Sequence, residues 1–335
     1  TEAAGHQGKN LVVIIGAGRS GTTWLHLMLG SHPRVATGQE SQVFARYLAP
    51  LMETWEAELD WSQGEGVRQH GISSYLTEER FVGLLRHFAL EVMGSVLAEK
   101  PTATHLLEKS PNSSYHVDLI NRCLPGVRFI HVIRDGRDVA ASMSVVGSLY
   151  VEQAALEWRR SVEAALQAKA FAPRYAEVRY EDLLEGGVAE LSRLFDFLDV
   201  PVSTAEAQEI YEAHHFHRLK SGDYRRDTFK NPGVVRASGT PDRKEPPGFF
   251  RKGKSGTWRE ELTRADVAEF LWVAGELLQS LAYLGDEAGL PTRPRVDCDS
   301  DGCFVRAARL WSGGGSECSV APESSVGATL RTGSQ

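Results

Sequence analysis

Five consecutive apolar residues, Leu11–Ile15, run directly into a glycine-rich turn, and from Thr22 the apolar positions recur at helical spacing. An unbroken apolar run of that length predicts a strand buried on both faces. Runs at 104–108 (THLLE), 127–133 (VRFIHVI) and 175–179 (YAEVR) predict three more strands. Between them the period becomes helical. Residues 77–98 place Phe81, Leu84, Leu85, Phe88, Val92 and Val96 behind a Thr77 cap, and Leu191, Leu194, Phe195 and Leu198 repeat the pattern later. Thr263 with Asp266 opens a last helix carrying Phe270, Ala274, Leu277 and Leu281 on one face. All these stripes are read as core. Strands alternating with helices predict an α/β fold of three layers, a central and mainly parallel sheet flanked by helices. The domain is expected to span 11–290, after a flexible N-terminus at 1–10. Residues 221–250, rich in Gly, Pro and charge, read as a long loop, and 291–335 as a weakly ordered tail.

With 335 residues and 42% hydrophobic content, the chain can bury a full core, which excludes a disordered protein. A formal charge of −7 leaves no basic footprint for nucleic acid, so any anion site must be local. Cys123 stands alone and Cys298, Cys303 and Cys318 are scattered in the tail, a pattern of neither disulfide scaffold nor paired zinc ligands. No apolar run approaches the length of a membrane span, and residues 1–10 lack the apolar centre of a secretory signal. The first residue is Thr, so a preceding anchor or targeting segment stays open.

The turn after the first strand has the glycine separation of a phosphate loop, Gly16 to Gly21, with Thr22 where a nucleotide triphosphatase carries lysine. It keeps an anion nest at a helix N-terminus, and its cation, Arg19, lies inside the loop. A plain Rossmann-like turn competes with this reading.

The stretch Arg19-Ser20-Gly21-Thr22-Thr23-Trp24 resembles the 5′-phosphosulfate loop of the sulfotransferases that use 3′-phosphoadenosine 5′-phosphosulfate (PAPS). Three further segments are similar to motifs of that family in the same order: FIHVIRDGRDVAASM, RYEDLL at 179–184 and RKGKSGTW at 251–258. The resemblance covers residues 11 to about 258 and implies a P-loop-like fold and a nucleotide site. It assigns Arg19, Ser20, Gly21, Thr22 and Thr23 to the 5′ end of PAPS, and Arg134 and Ser142 to the 3′-phosphate. Arg251, Lys252 and Gly253 close over that phosphate from the 221–250 loop, while Trp24 and Tyr180 flank the adenine. A core role for Trp24 stays open.

Sulfuryl transfer needs a general base, cations for the developing charge and in-line placement. Arg19 and Lys109, in LEKSP, are the candidate cations. By resemblance to the tyrosylprotein and carbohydrate branches, SHPRVATGQESQ places Glu40 at the base. The cytosolic branch uses histidine, for which His116 or His105 would substitute. Arg137 and Asp138 read as a helix-start ion pair, and the HHFH cluster at 214–217 as a solvated helix end; no metal is expected. The expected partner is a hydroxyl acceptor, favouring a small molecule, lipid or glycan, with tyrosine in a protein as the alternative. A homodimer is compatible with the sequence. A nucleotide kinase and a non-catalytic nucleotide-binding module are the other readings. A cytoplasmic location is favoured, with the Golgi lumen open if an anchor preceded Thr1.

Overall fold

The computed structural model describes residues 10–62, 71–147, 149–171, 173–222 and 249–285. The expected N-terminal arm, most of the 221–250 loop and the 291–335 tail lie outside the described residues. Five parallel strands, β1 (Leu11–Ile15), β2 (Val35–Thr37), β3 (His105–Lys109), β4 (Arg128–Ile133) and β5 (Tyr175–Arg179), form one sheet in the order β2-β3-β1-β4-β5. The helices are α1 (Thr22–Gly30), α2 (Ala49–Ser62), α3 (Glu78–Gly94), α4 (Val117–Cys123), α5 (Gly136–Gly147), α6 (Val151–Leu166), α7 (Tyr180–Phe197), α8 (Thr204–Ala213), α9 (Phe216–Ser221), α10 (Trp258–Glu261) and α11 (Arg264–Ser280).

β1 is central, paired in register Val12↔Arg128 with β4 and Leu11↔Leu106 with β3. Its alternation divides the core. Leu11, Val13 and Ile15 pack with α2, α3 and α4 on one face, and Val12 and Ile14 pack with α1 and α7 on the other. A third cluster joins α5, α6 and α11 around Trp158 and Phe270. The Thr77 and Thr263 caps form as expected, each accepting from the backbone N–H three residues on.

The expected buried face of α3 is corrected. Phe81, Val82, Leu85, Ala89 and Met93 are its buried face, whereas Leu84, Phe88 and Val92 are exposed. The helix carries two apolar stripes and only one meets the sheet. By length and composition alone, Glu78–Glu99 is also long and apolar enough to cross a membrane, although charged residues interrupt it and one of its faces packs in the core.

Chain direction brings the C-terminal ends of β1, β3, β4 and β5 to one edge of the sheet. Connections from β1 turn toward β3 and β2 on one side, and those from β4 toward β5 on the other. The crevice at such a reversal is where open parallel sheets bind ligands.

Candidate functional site

The cradle between β1 and α1 is built from constrained backbone. Gly21, at φ 93°, caps α1 without a side-chain hydrogen bond, and a Cβ there would lie 2.5 Å from the Tyr180 ring. Glycine is required on both counts. Gly21 offers no side chain to the first amides of α1, and no acidic residue occupies the first turn, which leaves these N–H groups suited to an anion. Gly16 N–H donates to Ser114 Oγ at 2.9 Å, so the turn after β3 fixes the start of the cradle.

Facing the cradle is a cleft with about 720 Å³ of empty space, part of it open to solvent. Arg19, Gly21, Thr22, Thr23, Trp24, Arg134, Ser142, Tyr180, Arg251, Lys252 and Gly253 all line it. Ser20 is buried beneath, and its Oγ has no hydrogen-bond partner among the described residues. The sequence reading missed Leu184, Phe216, Leu219, Phe249, Phe250 and Thr257, which complete the walls. Gly253, at φ 62°, allows close approach to Phe216, whose ring would lie 2.1 Å from an added Cβ.

Arg134 follows the end of β4. It lies over the Tyr180 ring at 4.2 Å and donates to the carbonyls of Arg19 (3.0 Å) and Lys254 (2.9 Å), while its Nε, also buried, has no partner among the described residues. Arg19 turns toward the same side. Its Nε donates to Ser142 Oγ at 3.2 Å, its Nη2 to the Phe249 carbonyl at 2.7 Å, and its guanidinium covers the Phe249 ring. Trp24 is buried and donates from its indole to the His214 carbonyl at 2.9 Å, so it serves as cleft wall and as core together. His214 is itself buried, with Nδ1 donating to the Ile210 carbonyl. Within HHFH, His214 is thus corrected from a solvated helix end to part of the packing around Trp24, whereas His215 and His217 are exposed.

The closing segment is clamped at both ends. Arg251 makes a bidentate pair with Glu261 (2.7 and 2.5 Å), which Lys252 joins at 2.7 Å. Hydrogen bonding from Arg251 pushes the Glu261 carboxyl down to about 2. Asp138 accepts from Gly256 N–H (2.7 Å), Trp258 N–H (2.8 Å) and Thr257 Oγ (3.2 Å). Arg137 pairs with Asp135 at 2.8 Å and stacks on Trp258. The expected Arg137–Asp138 pair is therefore corrected: both residues serve the 251–258 segment, from within a chain stretch more than 100 residues away.

On the other flank of the cradle, buried Lys109 donates to Thr23 Oγ at 3.1 Å and pairs with Glu40, whose side chain is 41% exposed. Lys109 ends β3, and His105 begins it, so His105 sits roughly 13 Å back along the strand. There it meets Arg128 and the Thr104 hydroxyl. His116 closes the turn after β3, and burial lowers its pKa, against the charge of Glu53; like Glu40, Lys109 and His105, it is not among the residues that line the cleft.

A family model described as the sulfotransferase family matches residues 12–204. A putative protein-tyrosine sulfotransferase of Caenorhabditis briggsae is 28% identical over 205 residues, covering 58% of this chain and 67% of that one. Protein-tyrosine sulfotransferase 1 of Danio rerio is 28% identical over 204 residues, covering 58% and 54%. The chain thus spans about half to two thirds of the length of these relatives. Among solved structures, mouse sulfotransferase SULT7A1 complexed with PAP aligns at a TM-score of 0.48 and 15% identity, over 85% of this chain and 90% of that one.

Proposed function

We propose that this chain, which belongs to the sulfotransferase family, transfers the sulfuryl group of PAPS to a hydroxyl acceptor and releases 3′,5′-adenosine bisphosphate. The observation that carries this reading is a set of buried donors without partners among the described residues, Ser20 Oγ, Arg134 Nε and Arg251 Nε, around a cleft walled by aromatic rings. Buried donors left unpaired are costly, and an anion bonded to them removes the cost. The α1 amides and Ser20 suit one anionic end, Arg134, Arg251 and Lys252 the other, and Trp24, Tyr180 and Phe216 an aromatic base between them.

PAPS, when bound, supplies the activated sulfuryl group. Glu40 is solvent-accessible and takes the acceptor proton as the acceptor oxygen bonds to sulfur and the sulfur–phosphate oxygen bond breaks. Lys109 orients that carboxylate and, with the α1 amides, faces the charge that gathers on the leaving oxygen. The chain charge of −7 favours a small-molecule, lipid or glycan hydroxyl over an acidic peptide. The names of the relatives favour a second reading, a tyrosine hydroxyl in a protein.

Thermal melting with 3′,5′-adenosine bisphosphate tests the nucleotide. Stabilisation without magnesium supports the proposal, and a requirement for ATP with magnesium supports a kinase instead. Labelled PAPS with an acceptor panel then separates an enzyme from a binding module and identifies the acceptor.

A further inference from the structure

We infer that Glu108 is a positioning residue for Glu40: it pins residues 41–43 to the end of β3 and so sets the Glu40 carboxylate against Lys109. The inference rests on the transferase reading above. Successive residues of a strand point to opposite faces, and here Lys109 reaches toward α1, where it meets Thr23, while Glu108 points the other way. The segment after β2 straddles this strand end. Glu40 meets Lys109 on one side, and on the other Ser41 Oγ donates to Glu108 Oε1 at 2.8 Å. Ser110 Oγ donates to the same oxygen at 2.5 Å and accepts from Gln42 N–H at 3.0 Å, and Ser41 Oγ also accepts from Val43 N–H at 3.3 Å.

Gln42 needs this hold. Its φ of 54° is a left-handed conformation that a side-chain-bearing residue adopts only when surrounding contacts enforce it. Glu108 is buried, and its Oε2 has no hydrogen-bond partner among the described residues. Burial raises its pKa above the ordinary carboxyl value, against the hydrogen bonds from Ser110 and Ser41 and the charge of Lys109. Pointing to the opposite face of β3 from Lys109, the Glu108 carboxyl leaves the lysine to Glu40. It serves as an acceptor for the two serines that shape the turn.

The test is a kinetic cycle with PAPS, combined with calorimetry of 3′,5′-adenosine bisphosphate. Glu108→Ala should lower kcat by about 10- to 100-fold at unchanged bisphosphate affinity, because the base is displaced while the cradle is intact. Glu108→Gln keeps an acceptor oxygen for both serines and should stay within about threefold of wild type. Adding Glu108→Ala to Glu40→Gln should cause no further loss, since a positioning residue has nothing left to position. Wild-type kcat in Glu108→Ala, multiplying losses in the double variant, or a Glu108→Gln as impaired as the alanine would each overturn the inference. If Glu108→Ala fails to fold, Ser41→Ala with Ser110→Ala removes the same hold; the same fall supports the inference and wild-type kcat there overturns it. A wild-type protein inert toward PAPS and every acceptor would overturn the transferase reading and this inference with it, whereas a kcat that falls in Glu40→Gln but not in Glu108→Ala overturns the inference alone.

Discussion

The Lys109 ammonium binds Thr23 Oγ at 3.1 Å and the Glu40 carboxylate at once, linking the anion cradle to the candidate base through one buried side chain. Lys109→Met preserves much of the side-chain volume and removes both bonds. Loss of a preorganised donor at a site of developing charge should lower kcat by about 10²–10³-fold. Bisphosphate affinity, measured by calorimetry, should change far less, because Arg134 and the α1 amides remain.

Arg134→Ala and Ser142→Ala should weaken bisphosphate binding unequally. A charge-assisted bond lost costs about 1.5–3 kcal/mol, and a neutral one nearer 1 kcal/mol. Ser142 also accepts from Arg19 Nε, so its removal takes one hydrogen bond from that guanidinium as well. Unchanged affinity in both variants would remove the 3′-phosphate from this end of the cleft.

The Asp138 contacts make the closing segment testable without activity. Asp138→Asn replaces an acceptor of three hydrogen bonds with a group that has one acceptor oxygen and no charge. The amides of Gly256 and Trp258 should lose hydrogen-exchange protection, and nucleotide affinity should fall by about tenfold or more. Full protection in Asp138→Asn would show that the segment is held without Asp138, by the Arg251–Glu261 pair, the Arg134 bond to the Lys254 carbonyl and the Arg137 stack on Trp258.

Stability should decline in acid through His131. It is fully buried in β4 with Nδ1 bonded to the Tyr175 hydroxyl at 2.8 Å, and burial lowers its pKa from 6.5 to about 3. Between those values the unfolded chain binds the proton and the folded chain does not, so stability falls as pH falls, by up to about 1.4 kcal/mol per pH unit. Denaturant titrations across this window should show a shallower pH slope for His131→Gln than for wild type. An equal slope would assign the acid sensitivity elsewhere.

Much of the scaffold is readable in the chain because β1 is buried on both faces and appears as an unbroken apolar run, and because β3 and β4 keep apolar pairs, Leu106–Leu107, Phe129–Ile130 and Val132–Ile133, between their polar residues. β2 escaped notice because three residues, Val35–Thr37, are too short for any period to show. On α3 the period revealed the helix and not its orientation, since Leu84–Phe88–Val92 repeats as regularly as the stripe that packs. The cradle and Arg134 were legible through ordered motifs. Phe216, Phe249 and Phe250 were not, because a cleft wall assembled from segments far apart leaves no spacing to recognise. The role of Asp138 was hidden for the same reason: its neighbour in sequence offered a partner, and its partners in space come from residues 256–258.

The most direct test is release of 3′,5′-adenosine bisphosphate from PAPS in the presence of a hydroxyl acceptor, compared between wild type and Glu40→Gln. The substitution keeps the shape of the side chain that meets Lys109 and removes its basicity. Wild type should turn over without added metal, and Glu40→Gln should bind nucleotide normally while turning over about 10²–10⁴-fold more slowly. Equal turnover in the two proteins, with His116→Asn inactive, would contradict the account and move the base to the histidine.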